Sequence, residues 1–339
     1  MVASPSHVHR YAELARLLVR HRSAFEAVAG GAPPVVDKET RRDAERLASD
    51  LEAMGPTFVK LGQLLSTRSD LLPAPHLVAL ARLQDQVAPF GDEEAREVFR
   101  QEIGATVEDA FRTFDDQPLA SASLGQVHAA ELANGHRVVV KIQRPDVADQ
   151  VASDLEALGE IARLIDAHTD AGRRYGFEDL LDQFRRSVVD ELDYRREAAN
   201  LLQVADIAGP HPLIVVPRPV QALTAARVLT MDRIDGRKVT ELGRFGLLDV
   251  DGAALADALF AVYLDQIFVH GFFHADPHPG NVLVTDDGRL ALVDLGMVGM
   301  LRTEVRTQLI KLVLALAEGR ADDVAGVLVQ LGTPLEDFA

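Results

Sequence analysis

Cysteine is absent from this sequence, so the chain has neither a disulfide framework nor a thiolate metal site. Basic residues are also relatively few: the chain has 35 Lys and Arg against 52 Asp and Glu, a formal net charge of −17 at pH 7. A protein that binds nucleic acid needs a basic face to displace counterions from phosphate groups, so we expect no nucleic-acid partner. The missing cysteine fits a reducing compartment, and we expect a cytoplasmic protein.

Long uninterrupted hydrophobic runs are also missing. Residues 309–317 are interrupted by Lys311, and residues 259–273 contain Asp265 and Gln266. We therefore interpret both stretches as amphipathic core helices and expect no membrane-spanning segment in this chain. The N-terminal residues lack the layout of a secretory signal. Peripheral contact with a membrane stays open as an alternative.

Apolar spacing and turn signals predict helices first, then a small β-rich part, then a mainly helical part. Predicted helices cover residues 8–29, 39–54, 56–65, 74–85, 92–103, 147–168, 177–206 and 251–270. Predicted strands form hairpins around Asn134-Gly135 and at 282–293, with short strands at 214–216 and 227–231. The order predicts an α+β fold with two lobes. Its expected parts are an N-terminal helical extension (1–114), a β-rich lobe with inserted helices (115–235) and a mainly helical lobe (236–339).

The strongest functional signal runs from His274 to Asn281 and is followed by a hairpin that ends in Asp294-Leu295-Gly296. Phosphoryl transfer requires an Asp that orients the acceptor and oxygen-bearing side chains that hold Mg²⁺ against the phosphates. Asp276 lies five positions before Asn281, and Asp294 follows a predicted strand, which is the order found in kinases. The pattern predicts Asp276 as the catalytic residue and Asn281 and Asp294 as ligands of Mg²⁺.

Two other interpretations fit parts of this segment. In one, Asp276 and Asn281 merely cap turns of a polar loop, but the hairpin and second motif in register behind them argue against it. In the other, His274, Asp276 and His278 bind a metal ion in a hydrolase. The neighbouring prolines disfavour a helix that would bring both His side chains to one face, and this alternative gives Asn281 no role.

Lysine is scarce, since only five of the 35 Lys and Arg residues are Lys. Lys141 lies on a predicted strand after a loop of small residues, where a cation can reach the α and β phosphates of ATP. A helix carboxylate should pair with it, and the helix predicted at 177–206 offers Glu191, Asp193 and Glu197. A solvent-facing Lys at a strand end is the plainer alternative.

These segments together resemble the UbiB/ADCK atypical kinases, from about residue 8 to the end of the chain. Four stretches carry the resemblance: Lys60-Leu61-Gly62-Gln63, residues 120–128, Glu191-Leu192-Asp193-Tyr194 with Glu197, and residues 274–281 with Asp294-Leu295-Gly296. The resemblance implies that the Ala-rich loop replaces a Gly-rich phosphate loop and that the K-x-G-Q helix folds over the active site. It also implies that Lys141 pairs with Glu197, and we expect both to be catalytic residues together with Asp276.

The same resemblance places the E-x-D residues Glu191 and Asp193 near the phosphates and near Lys60. Lys60 and Gln63 lie three apart on a predicted helix and therefore share a face. Ser121 departs from the Ala that many members have at this position. The residues expected to bind the nucleotide are Ala120, Ser121, Ala122, Ser123, Gly125, Gln126, Lys141, Met231, Lys60, Gln63, Glu191 and Asp193.

After Gly296 the sequence passes through residues 297–301 directly into a predicted helix, without a long activation segment. Protein kinases use that segment to dock peptides, so we expect weak or no activity on proteins. The resemblance implies an ATP-dependent kinase or ATPase that uses Mg²⁺ and acts in isoprenoid-quinone or lipid metabolism, with a small or lipid-like acceptor. The alternatives are a small-molecule kinase of the aminoglycoside or choline type and a nucleotide-responsive scaffold without activity.

Overall fold

The computed structural model describes residues 5–21, 37–83, 88–242 and 251–332. Within these ranges the chain forms two compact units. The first unit comprises Met1–Asp193 and Ala225–Thr230, and the second comprises Tyr194–Thr224 and Met231–Ala339. Mixed helices and short sheets make up both units, as predicted for the fold class. The three-part division expected from the sequence stays a prediction.

The first unit begins with helices. They are α1 (Pro5–Arg20), α2 (Lys38–Met54), α3 (Pro56–Ser66), α4 (Ala74–Leu80), α5 (Asp92–Ile103) and α6 (Val107–Ala110). Asp37 caps α2 by accepting a hydrogen bond from the backbone N–H of Thr40. Gly55, with a φ of 102°, ends α2 and Pro56 starts α3, so the sequence signal at this break is confirmed.

A buried cluster joins these N-terminal helices. Phe58 of α3 packs with Leu47 and Leu51 of α2 and with Leu72 and Leu80, and all five side chains are almost fully buried. The predicted helix at 8–29 ends at Arg20 within the described residues, and its remainder lies largely outside them. Burial of this apolar set is what stabilises the extension, at roughly 25 cal/mol per Å² of apolar surface removed from water.

The sheet of the first unit contains four strands between residues 113 and 143 and part of a fifth strand from much later in the chain. They are β1 (Thr113–Phe114), β2 (Ala120–Ser121), β3 (Gly125–Glu131), β4 (Arg137–Gln143) and β6 (Val228–Asp232), of which Val228–Thr230 belong to this unit. The order is β1-β3-β4-β6, with β2 also paired to β3. The predicted hairpin around Asn134-Gly135 is confirmed, because β3 and β4 pair antiparallel from Gly125↔Gln143 to Glu131↔Arg137.

Three further helices complete the first unit, and a fourth begins the second. They are α7 (Val147–His168), α8 (Asp170–Tyr175), α9 (Phe177–Glu191) and α10 (Tyr194–Ala208). The single helix predicted at 177–206 is therefore wrong, because the chain leaves the helix at Leu192 and Asp193. The Nε2 of Gln143 donates to the Leu192 carbonyl at 2.9 Å, which satisfies a carbonyl that the broken helix leaves without an intrahelical partner.

The second unit contains two small sheets. Its strands are β5 (Ile214–Val215), β7 (Gly236–Lys238), β8 (Phe272–His274), β9 (Val282–Thr285), β10 (Leu290–Leu292) and β11 (Val298–Met300). One sheet has the order β5-β10-β9-β7, and the other pairs β11 with β8. The hairpin predicted at 282–293 is confirmed as β9 and β10. The pairing of β8 with β11 was not predicted, and the chain therefore does not pass directly from Gly296 into a helix.

The helices of the second unit follow α10. They are α11 (Gly252–Leu264), a π-helical turn (Asp265–His270), α12 (Thr303–Ala317) and α13 (Ala321–Leu331). Within the described residues, the stretch Gly252–His270 is long and apolar enough to cross a membrane by length and composition alone, and only 17% of its apolar window is buried. Its exposed side chains include Phe260 and Val269. Our expectation that this stretch is an ordinary core helix is therefore not confirmed.

Candidate active site

Asp276 lies just after strand β8, and backbone hydrogen bonds hold this part of the chain. The Ala275 N–H donates to the Met297 carbonyl at 3.0 Å, which continues the pairing of β8 with β11. The His274 N–H donates to Oε1 of the buried Gln266 at 2.9 Å. Gln266 belongs to the π-helical turn, a helix type that is frequent at functional sites. These contacts fix where the loop that carries Asp276 begins.

Asn281 ends a short 3₁₀ turn formed by Pro279–Asn281 and leads directly into β9. Its Nδ2 lies 3.4 Å from the Asp276 carbonyl, and its carbonyl accepts a hydrogen bond from the Val293 N–H at 3.0 Å. The contact with the Asp276 carbonyl joins Asn281 to the loop that carries Asp276. The contact with Val293 places Asn281 beside the end of β10. Asn281 is therefore next to both segments that carry the predicted carboxylates.

Asp294 has a backbone φ of 59°, in the left-handed region that non-glycine residues seldom adopt. Its Oδ1 accepts a hydrogen bond from the Gly296 N–H at 3.4 Å, and the buried Leu295 follows it. The Nδ2 of Asn200 donates to the Leu295 carbonyl at 2.9 Å and so anchors the turn. Backbone strain of this kind concentrates at functional sites, where the surrounding structure maintains it.

The charges of Asp276 and Asp294 both influence the pKa of one buried imidazole, that of His274. His274 is only 1% exposed, and burial lowers the pKa of its ring, while the Met297 carbonyl and the charges of Asp276 and Asp294 act in the opposite direction. Burial also raises the pKa of the Tyr263 phenol, and the Asp276 charge adds to that effect. Asp276 and Asp294 therefore lie within electrostatic range of the same ring, while Asn281 is hydrogen-bonded to the Asp276 carbonyl and to Val293, the residue before Asp294.

The side chains do not favour the alternative metal site. Among the described residues, no three or more His, Cys, Asp or Glu side chains are arranged to hold a metal ion. His274 directs Nδ1 at the Met297 carbonyl, and His278 accepts a hydrogen bond from the Gly280 N–H through its own Nδ1. Asn281 and Asp294, in contrast, offer the amide and carboxylate oxygens that Mg²⁺ prefers when phosphates and water complete its shell. This donor set fits Mg-ATP.

In the first unit, Lys141 lies near the end of β4, opposite Val127 of β3. The loop of small residues lies at the same end of the sheet. Ser121 pairs with Gln126, and the Ala122 N–H donates to the Gly125 carbonyl at 2.7 Å, so the loop is a tight turn between β2 and β3. Within the described part of the chain, the buried Oγ of Ser121 has no hydrogen-bond partner. A tight turn of small residues lets a phosphate approach backbone N–H groups closely.

Lys60 contacts one of the acidic residues that the resemblance assigned to it. Its Nζ lies 2.6 Å from Oε1 of Glu191, and both side chains are more than two-thirds buried. Gly62 of the same helix permits close packing, because a β-carbon at this position would lie 2.3 Å from Cδ1 of Leu83. The Nε2 of Gln63 donates to the Leu83 carbonyl at 3.2 Å. Three residues of the K-x-G-Q segment thus have a packing or bonding role within the first unit.

The remaining predicted residues are distributed between the units. Asp193 belongs to the first unit and lies in the break after α9, where its N–H donates to the Asp190 carbonyl. Glu197 is buried in α10, and Met231 is buried in β6 opposite Pro219, both in the second unit. The pairing of Lys141 with Glu197 joins residues of different units and stays a prediction.

Sequence reasoning missed several supporting residues in the second unit. Gln266, which anchors His274, appeared only as a polar interruption of an apolar run. Asn200 and Tyr263 gave no signal, because neither belongs to a recognisable motif. The polar position inside the apolar stretch was the one signal that pointed to a buried hydrogen bond.

The fold and the motif geometry define a kinase-like protein. The sequence model of the ABC1 atypical kinase-like domain matches residues 82–328, which is more than half of the chain. The chain is also 38% identical over 292 residues to the probable protein kinase UbiB of Cellvibrio japonicus. A chloroplastic protein of Arabidopsis thaliana, named Protein ACTIVITY OF BC1 COMPLEX KINASE 8, is 39% identical over 294 residues. The chain therefore belongs to the ABC1 family of atypical kinases, the UbiB/ADCK group that the sequence resembles.

These matches cover most of this chain and a smaller part of each relative. The two alignments include 85% of this chain, but 53% of the Cellvibrio protein and 38% of the Arabidopsis protein. The chain thus spans about half the length, or less, of these curated relatives. A solved structure described as a complex of Rv3197 with erythromycin, from Mycobacterium tuberculosis, has a TM-score of 0.61 and 28% identity. It covers 82% of this chain and 70% of the other, which confirms the kinase-like fold.

Proposed function

We propose that this chain binds Mg-ATP and transfers or hydrolyses its γ-phosphate. The observation that carries the proposal is the pair of hydrogen bonds that join Asn281 to the Asp276 carbonyl and to Val293, the residue before Asp294, in the second unit. Bound Mg-ATP would supply an electrophilic phosphoryl group whose negative charge the cation partly neutralises. Membership of a kinase family supports the same chemistry.

Each residue has a distinct role in this proposal. The amide oxygen of Asn281 and the carboxylate of Asp294 would hold Mg²⁺, since both are hard oxygen donors. Asp276 would orient the hydroxyl group or water that attacks and accept its proton. Lys141 would reach the α and β phosphates from strand β4, and the N–H groups of residues 120–125 would line the phosphate chain.

The acceptor in the proposal is a small or lipid-like molecule, in isoprenoid-quinone or lipid metabolism. The resemblance to the UbiB group supports this assignment. Between Gly296 and the start of α12 at Thr303 there is only the short strand β11, which offers little room for docking a peptide. Exposed apolar side chains on Gly252–His270, including Phe260 and Val269, support peripheral contact with a membrane.

The test is Mg-ATP turnover by the purified chain, measured as phosphate release with and without anionic liposomes. The test variant is Asp294→Asn, which keeps the shape of the side chain and removes its charge. We expect turnover in Asp294→Asn to fall on the order of 100-fold relative to the wild type, the usual loss when one charge-stabilising group is removed from such a site. Far-UV circular dichroism should show that both proteins are folded. Equal turnover in both proteins would remove the enzymatic proposal.

The same assay addresses the acceptor. Generic peptide substrates should be phosphorylated poorly compared with the rate of phosphate release from ATP. Efficient peptide phosphorylation that depends on Asp294 would contradict the proposed acceptor class and leave the proposed ATP chemistry intact.

A further inference from the structure

Gln126, the first residue after the Gly that opens strand β3, is 1% exposed and binds the backbone of a distant residue. Its Oε1 accepts a hydrogen bond from the Phe90 N–H at 3.1 Å, and its Nε2 lies 3.4 Å from the Phe90 carbonyl. The side-chain amide therefore pairs with Phe90 much as a neighbouring strand would. Its polar atoms are directed at protein, although sequence reasoning included Gln126 among the nucleotide-binding residues.

His128 fixes the orientation of this amide. Nδ1 of His128 lies 2.8 Å from the Asp115 carbonyl, a contact that requires a proton on Nδ1. In the neutral ring Nε2 is then an acceptor, and it lies 2.9 Å from Nε2 of Gln126. The Gln126 amide nitrogen thus donates to both His128 and the Phe90 carbonyl, and its oxygen accepts from Phe90. All three polar contacts are satisfied by one tautomer and one amide orientation.

Arg144 provides a second attachment for the same segment. Its Nη2 donates to the Ala88 carbonyl at 2.9 Å, and its guanidinium lies 5.2 Å from the centroid of the Phe90 ring. The Arg144 N–H also donates to the Leu124 carbonyl at 2.8 Å, so Arg144 is tied to the loop of small residues. Residues 88–90 are therefore attached through two side chains to the C-terminal end of the turn that contains residues 120–125, at Leu124 and at Gln126.

A second glutamine binds the backbone shortly before Phe90 in sequence, at Leu83. Gln63 of α3 donates to the Leu83 carbonyl, and residues 84–87 lie outside the described residues. Two glutamine amides thus bind the backbone at Leu83 and at Phe90. One comes from the K-x-G-Q helix, and the other comes from the strand that follows the loop.

We propose that Gln126 is a positioning residue whose amide, oriented by neutral His128, fixes Phe90 and thereby holds the Ala120–Leu124 loop in its tight turn. The role in nucleotide binding rests on the function proposed above. The hydrogen-bond arrangement itself does not depend on a nucleotide, so it is testable separately.

The first experiment measures hydrogen–deuterium exchange of the Phe90 and Ala122 amides by NMR in the protein without nucleotide. Gln126→Met keeps the length of the side chain and removes its polar atoms. The matched control is Gln143→Met, because Gln143 is equally buried on the adjacent strand and donates to Leu192 instead. We expect exchange at Phe90 to increase about 10-fold in Gln126→Met, as for loss of one hydrogen bond, and exchange at Ala122 to increase as well. The control should leave both amides unchanged.

A pH series separates this role from general packing. Burial lowers the pKa of His128, while the Asp115 carbonyl and the charges of Asp115 and Asp116 oppose burial, and the Arg96 charge adds to it. Protonation would turn Nε2 of His128 into a donor that faces another donor. Phe90 protection, corrected for intrinsic exchange, should therefore fall as the pH drops below the usual imidazole range. This dependence should be absent in Gln126→Met.

Gln126→Glu provides a second variant if the Met variant does not fold. The carboxylate can still accept from the Phe90 N–H, but it would favour the protonated His128 ring. We expect an upward shift in the pKa of His128, measured by NMR titration. An unchanged His128 pKa in Gln126→Glu, or unchanged Phe90 exchange in Gln126→Met, would overturn the proposal.

Magnesium ATP binding, measured by calorimetry, then tests the link to the nucleotide. Gln126→Met should weaken binding several-fold in parallel with faster Ala122 exchange, and Gln143→Met should not. Weaker binding with no change at Phe90 or Ala122 would mean that Gln126 contacts the nucleotide directly, which overturns the positioning role. If the wild type binds no ATP, the proposed function fails, whereas the exchange results still decide whether Gln126 holds the loop.

Discussion

In the second unit, Asp276, Asn281 and Asp294 lie within 20 or so residues of chain, and backbone hydrogen bonds to Met297 and Val293 hold their segments. In the first unit, the residues assigned to the site are far apart in sequence. Lys60 binds Glu191 across 131 residues, and Phe90 binds Gln126 across 36. Side chains make both of these contacts. A local site leaves a motif with fixed spacing, whereas a site built from distant side chains leaves only scattered polar residues.

Among the changes that test this comparison of the two units, we expect Gly62→Ala in the first unit to have the largest effect on the free energy of unfolding. The new β-carbon would lie 2.3 Å from Leu83, in a packed region, so overpacking should lower the free energy of unfolding by about 1–3 kcal/mol. Urea denaturation followed by far-UV circular dichroism measures it. Truncating the neighbour in Gly62→Ala/Leu83→Ala should cost less than the sum of the two single changes. If the two changes in the free energy of unfolding are strictly additive, the new β-carbon at position 62 does not clash with the Leu83 side chain.

A smaller effect is expected for the ion pair between Lys60 and Glu191. Because both side chains are more than two-thirds buried, a double-mutant cycle with Lys60→Met and Glu191→Gln should give a coupling of about 1 kcal/mol. The exposed pair of Arg82 and Glu45 is the matched control, and its coupling should be close to zero. Equal coupling in the two pairs would mean that burial does not strengthen the contact between Lys60 and Glu191.

The smallest effect on stability is expected in the second unit. Asn281→Ala removes one long side-chain contact to the Asp276 carbonyl, while the backbone bonds around it remain. We expect the free energy of unfolding to change by less than about 0.5 kcal/mol. A loss above about 1 kcal/mol would break the comparison, because the loop would then depend on its side chains as the first unit does.

The sequence contains the whole motif of the second-unit candidate site because every part of it is local. Asp276, Asn281 and Asp294 are separated by a turn and a hairpin, and short-range turn signals define both. The pairing of β8 with β11 was missed because three-residue strands are too short to show alternation. The break between α9 and α10 was missed because neither Gly nor Pro marks Leu192 and Asp193.

The first-unit contacts were less accessible to sequence reasoning. The proximity of Lys60 to Glu191 came from the resemblance to a family, since nothing local relates residues on α3 and α9. The hydrogen bond of Gln126 to Phe90 was not predicted, because a motif shows which residues occur together and not which atoms they bind. Partners such as Phe90 depend on tertiary packing, which overrides local patterns.

The left-handed backbone at Asp294 restricts how this residue can be replaced in practice. Asn shares the ability of Asp to adopt such a conformation, whereas a β-branched replacement would distort the turn for reasons unrelated to charge. An inactive version intended to capture a bound acceptor for crystallography is therefore best made with Asn. Substitution by Val or Thr would confound loss of the carboxylate with loss of the turn.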